Sequence, residues 1–96
     1  MPFRSGDWVV FKYKDITYHG LVIKKYKSQG KNNTDKGVYI VCPAELNGLY
    51  YRIKHDELRS VKLSVEQRLD ILRSFGQSWW SNNKSLFQVA LRGNNI

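Results

Sequence analysis

The chain reads as a small, mainly β domain: an antiparallel barrel of four to five strands followed by two short helices. Three observations predict this. From Trp8 to Leu63, short apolar-polar alternations are separated by Gly, Asn, Asp and Pro signals, the pattern of half-buried strands and turns. At Ser64 the period changes from two to helical spacing. Three Trp, six Tyr and four Phe supply rings, each able to bury about 150–250 Å², so a few of them can fill a small core.

The elements follow in order. Ser5-Gly6-Asp7 introduces a first strand, Trp8 to Lys14, with Val9, Phe11 and Tyr13 on one face and Trp8, Val10, Lys12 and Lys14 on the other. Asp15-Ile16 makes a tight turn into a second strand, Tyr18 to Tyr26, where Gly20 predicts a bulge or sharp bend. Lys27 to Gly37 has no apolar residue and reads as a mobile basic loop. A third strand, Val38 to Cys42, ends at Pro43. Asn47-Gly48 signals a turn. Leu49 to Lys54 is a fourth strand, with Leu49, Tyr51 and Ile53 opposite Tyr50, Arg52 and Lys54. Leu58 to Leu63 is a short fifth strand or an extended exit.

Ser64-Val65-Glu66-Gln67 has the form of a capping box. Val65, Leu69, Leu72 and Phe75 then recur at helical spacing, and Gly76 is a stop. Trp79-Trp80 falls in a linker, where one ring staples the tail to the barrel and the other is presented outward. Asn82 or Asn83 caps a second helix whose stripe is Leu86, Phe87, Ala90 and Leu91. Residues 1–96 form a single domain, with a barrel over 5–62 and a helical tail over 63–92 packed on its open side. An isolated helix of this length could not keep its stripe stable in water.

The Gly6-Asp7 opening, the short strands and the exit Tyr50-Tyr51-Arg52-Ile53-Lys54-His55-Asp56-Glu57-Leu58-Arg59-Ser60-Val61 resemble SH3-like small barrels over residues 5–62, including Tudor-like and KOW-like modules of nucleic-acid machinery. Gly20 followed by Leu21-Val22-Ile23-Lys24-Lys25 is similar to the Gly-containing basic hairpin of KOW modules. In the tail, Leu69-Asp70-Ile71-Leu72 and Asn83-Lys84-Ser85-Leu86-Phe87 are similar to the two helical segments of the IDEAL domain of Gram-positive bacteria, with different spacing and few of its acidic residues. Gly6-Asp7-Trp8-Val9-Val10 also resembles the opening strand of MazF-like toxin ribonucleases. Their next strand carries an Arg-Pro pair where this chain has Tyr18-His19-Gly20-Leu21.

Charge narrows the function class. Sixteen Lys and Arg against eight Asp and Glu give a net charge of +8 and favour a polyanionic partner. Residues 1–62 carry 12 of the cations and 6 of the acids, so the positive field belongs mainly to the barrel. The same lysines would serve to blunt β-edges and keep the chain soluble. Chemistry-bearing constellations are missing. His19 and His55 are the only histidines, Cys42 is a lone cysteine in an apolar run, and there is no paired metal-ligand spacing, phosphate loop or nucleophile elbow. The sequence therefore predicts a protein that is not an enzyme and holds no metal or cofactor. With no apolar run of membrane-span length and no apolar segment behind Met1-Pro2-Phe3-Arg4-Ser5, it predicts no membrane association and a cytoplasmic location.

Two readings of function remain open. In the first, the barrel face binds DNA or RNA, with Lys12, Lys14, Lys24, Lys25, Lys27, Lys31, Arg52 and Lys54 on phosphates and Tyr50 available to stack on bases. In the second, the chain is a small regulator or phage-type inhibitor that docks on an acidic protein, with Trp79, Trp80, Leu86 and Phe87 as contacts. Part of the second helix's stripe could also serve a second copy of the chain.

Overall fold

The computed structural model describes residues 3–27, 37–46 and 49–93. It is mainly β with C-terminal helices. Five antiparallel strands, β1 (Trp8–Tyr13), β2 (Ile16–Lys27), β3 (Val38–Pro43), β4 (Tyr51–Lys54) and β5 (Arg59–Ser60), lie in the order β4-β3-β2-β1-β5. Four strands form a meander and the fifth returns beside the first, the arrangement expected of a small barrel-like fold. A single 3-10 turn, His55–Glu57, joins β4 to β5.

Three helices follow where two are expected: α1 (Val65–Ser74), α2 (Gln77–Asn82) and α3 (Lys84–Arg92). The Trp79-Trp80 segment is thus the body of α2 and not a linker. Ser64 opens α1 with the reciprocal capping box: its Oγ accepts the Gln67 N–H at 3.1 Å, and the Gln67 side chain accepts the Ser64 N–H at 2.9 Å. Gly76, at φ +93°, turns the chain directly into α2.

The sheet is buried on two sides, because its strands place apolar residues at successive positions. Val9, Phe11, Val22, Tyr39, Val41 and Leu58 form an inner core, closed at one end by Phe3, whose N–H donates to the Tyr39 hydroxyl at 3.2 Å. On the outer face Trp8, Leu21 and Cys42 stand in register across β1, β2 and β3. Leu63, Leu72, Phe75, Trp79 and Ala90 pack over them. The tail therefore covers the outer face of the sheet and not the open side of a barrel: Trp8, Leu21 and Cys42 give it an apolar bed there. Trp8 also fastens β1 to α3, with Nε1–H donating to the Ala90 carbonyl at 2.7 Å.

Several local expectations change. Gly20 keeps a regular register, and the irregularities of β2 lie further on, between Val22 and Lys24 and between Lys25 and Lys27. Gly20 is needed for room: a Cβ there would stand 2.5 Å from Val41 Cγ1. Lys14 and Asp15, at φ 51° and 66°, form the two-residue turn between paired Tyr13 and Ile16, so the first strand ends one residue early. In α1, Val65 faces solvent, and the buried face is Arg68, Leu72 and Phe75. Arg68 is held on the buried side by its guanidinium, which donates to the Leu63 and Leu91 carbonyls. The loop expected between Lys27 and Gly37, with Lys31, and the Asn47-Gly48 turn lie outside the described residues.

Candidate functional site

The cations predicted to act together divide into two groups. Residues paired across a sheet share a face. Tyr39 and Val41 point into the inner core, so Val38 and Ile40 lie on the outer face. The register Lys24–Ile40–Arg52 and the pair Val38–Lys54 then bring Lys24, Arg52 and Lys54 onto that same face. Neighbouring strands are about 4.8 Å apart, which sets Lys24 and Arg52 roughly 10 Å apart across β3. Lys27 registers with Val38 at the end of β2. Lys25, opposite Tyr39, is exposed at the rim on the inner side.

Lys12 and Lys14 are elsewhere. Two strands separate β1 from β4. Lys12 pairs with Thr17 near the β1–β2 turn, and the run along β2 from Thr17 to Lys24 covers about 23 Å. The Lys14 ammonium sits 5.4 Å from the centroid of the Tyr13 ring. These two lysines sit at the β1–β2 hairpin tip, far across the sheet from Arg52 and Lys54.

Aromatic rings interleave with the cations on the outer face. The Arg52 guanidinium carbon lies 4.3 Å from the centroid of the Tyr26 ring, which is 44% exposed. Contact with a ring face holds the planar guanidinium in place without a carboxylate. Tyr50, 50% exposed, lies where this bare half of the face meets the helices. Partial burial pushes its hydroxyl above its ordinary pKa; the Cys42 thiol adds to the shift, and the neighbouring Trp79 indole opposes it. The Trp79 N–H is itself buried and faces the Tyr50 hydroxyl, outside the geometry of a full hydrogen bond.

The Glu57 carboxylate accepts the Lys54 backbone N–H at 3.4 Å and forms no ion pair with a cationic side chain among the described residues. Among the described residues the ion pairs are His19–Glu45 at 3.0 Å and His55–Asp56 at 3.4 Å, and neither uses a Lys or Arg. Among the same residues no three His, Cys, Asp or Glu side chains converge as a metal ion would require, and no helix is long and apolar enough to cross a membrane. The outer face of β2, β3 and β4 thus offers cations that are without ion pairs among the described residues, suited to anionic groups, and exposed rings suited to flat ones.

No protein-family model, curated protein or solved structure matches the chain.

A second surface lies on the tail. Trp79 is 7% exposed and packs on Phe75 with ring centroids 4.8 Å apart, so it serves the core and not a partner. Trp80 is 36% exposed and meets the half-buried Phe87 at 5.7 Å. Lys84, Ser85 and Gln88 complete a shallow depression around them of about 400 Å³. Leu86 turns the other way, into a groove of about 620 Å³ shared with Ile23 and Val89. Sequence reasoning missed Arg68, whose buried guanidinium donates from Nε to the Leu91 carbonyl at 2.9 Å and from Nη1 to the Leu63 carbonyl. Its position four residues before Leu72 on the buried helical face was the available signal.

Proposed function

We propose that this chain is a nucleic-acid-binding module whose interface is the outer face of β2, β3 and β4. One observation carries the reading: Lys24, Arg52 and Lys54 share that face without carboxylate partners among the described residues, and Tyr26 and Tyr50 are exposed beside them. Unpaired cations release counterions from a phosphate backbone, which gives affinity and strong salt dependence. Lys25, Lys27 and Lys31 add charge close by in the sequence.

The test is binding of labelled oligonucleotides across a salt series. Log affinity should fall linearly with log salt, with a slope near −0.9 per phosphate contacted on duplex and about −0.7 on single strands. Replacing Lys24, Arg52 and Lys54 together by Glu should abolish binding at physiological salt while leaving the melting temperature within a few degrees. Salt-independent binding, or a triple variant that binds like the parent, would refute the reading.

A second reading is favoured by the Trp80–Phe87 pair. An exposed Trp beside Lys84 suits docking on an acidic protein. It separates from the first by mutation: Trp80→Ala would weaken capture of such a protein and leave oligonucleotide binding unchanged.

A further inference from the structure

We infer that the strand bound on this face is single-stranded, an inference that rests on the nucleic-acid reading above. Tyr26 and Arg52 form a stacking platform that exists before any ligand arrives. The guanidinium carbon lies over the Tyr26 ring, 4.3 Å from its centroid, and both side chains are exposed. Bases exposed in single strands stack on aromatic rings and on guanidinium planes alike. Holding Arg52 in place beforehand removes part of the ordering cost of binding.

Tyr50 supplies a second ring two residues before Arg52. Their backbone separation is about 7 Å, roughly twice the 3.4 Å rise per nucleotide of a duplex strand. Bases resting on both platforms must be unstacked from one another, and a duplex does not allow this. Lys24 and Lys54 flank the platforms and meet the phosphates. Reading a duplex in its major groove calls for a helix or a two-stranded ribbon that enters it. Here the cations stand on the flat of a three-stranded surface, whose middle strand presents Val38 and Ile40.

The experiment compares three probes of about 12 nucleotides or base pairs at equal salt: oligothymidylate, oligouridylate and a mixed duplex. Either single strand should bind at least about tenfold tighter than the duplex, and the ratio between the two single strands tells DNA from RNA. Arg52→Lys keeps the charge and removes the stacking plane. It should weaken single-strand binding about tenfold, with duplex binding and the salt slope unchanged. Tyr26→Leu should act the same way. Lys24→Gln, by contrast, should lower the salt slope for every probe. Duplex affinity equal to or above that of both single strands, or an Arg52→Lys variant that binds single strands like the parent, overturns the single-strand inference and leaves the nucleic-acid reading standing. No binding to any probe at low salt overturns both.

Discussion

Arg68→Met should be among the most damaging single substitutions on the helical side of the protein. Arg68 is 9% exposed, and among the described residues no carboxylate pairs with it. Its guanidinium instead ties the Leu63 carbonyl, where the chain leaves the sheet, to the Leu91 carbonyl in the last turn of α3. A cation among the unpaired carbonyls of a helix C-terminus is favourably placed. Met keeps the apolar stem and removes both charge-assisted bonds, each worth about 1.5–3 kcal/mol. Relief of the desolvation cost of burying the guanidinium returns part of this, for a net loss of about 2–4 kcal/mol. A chain of this length has roughly 5–14 kcal/mol of stability in all. Each kcal/mol corresponds to about 4–8 °C in a domain of this size, so Tm should fall by about 8–30 °C. Urea unfolding followed by tryptophan fluorescence gives the free energy directly, since Trp79 lies in the affected core. A change in midpoint at constant slope is the expected form. A variant within about 0.5 kcal/mol of the parent would refute the reasoning, because the two carbonyl bonds would then be no better than the solvation given up to make them.

Three further outcomes follow from the same packing. Gly20→Ala forces a methyl to 2.5 Å from Val41 Cγ1 in the inner core and should cost about 1–3 kcal/mol, with part recovered in the Gly20→Ala/Val41→Ala double variant; additive costs in that cycle would count against the clash. Leu72→Ala, at a fully buried position, should cost about 2–5 kcal/mol in chemical denaturation, and Phe87→Ala, half-buried over Trp80, distinctly less; equal costs would make α3 as much a part of the core as α1. The Tyr50 hydroxyl is held above its ordinary pKa of 10.0, so the folded state keeps that proton more tightly than the unfolded chain. The stabilisation is complete below about pH 10 and is lost as pH rises through the raised value. The stability difference between the parent and Tyr50→Phe should therefore change between about pH 9 and pH 12, and a constant difference would show that burial does not perturb this group.

The strands and the change of period at Ser64 were legible because both rest on local pattern. Alternation fixes a face, and Ser64 and Gln67 carry their cap whatever surrounds them. The reading failed where tertiary context assigns the face. Val65 fits the apolar stripe of α1 by spacing yet is exposed, and Arg68 breaks the stripe yet is buried, because two carbonyls wait for it. Trp8 shares a strand face with Lys12 and was grouped with polar positions, although it lies in the outer core. The basic site was legible in part. Arg52 and Lys54 alternate on one strand and fall on one face, whereas joining them to Lys12 and Lys14 required a strand order that composition does not carry. The stacking of Tyr26 under Arg52 depends on the irregular register near Lys25, and no sequence signal marks it.

The outer face of the sheet is divided, and the division explains both the apolar strands and the charge. Where Trp8–Val9, Leu21–Val22 and Val41–Cys42 stand, consecutive residues are buried, as a sheet covered on both sides requires. Further along, consecutive positions stop being apolar: Lys24 follows Ile23, and Arg52 and Lys54 alternate with Tyr51 and Ile53. The boundary between the two patterns is the edge of the helical tail, marked by Tyr50 against Trp79. A sheet face left bare needs polar residues, and Lys or Arg on an edge strand such as β4 also discourages pairing with other chains. That requirement accounts for polarity alone. It does not call for Lys24, Arg52 and Lys54 to stand without side-chain ion pairs among the described residues, nor for a tyrosine ring beside Arg52, since mixed charges would solvate the face equally well. The one-sided charge and the Tyr26–Arg52 pair exceed what solubility asks, and this excess is the support for the proposal that the exposed half of the outer face binds nucleic acid.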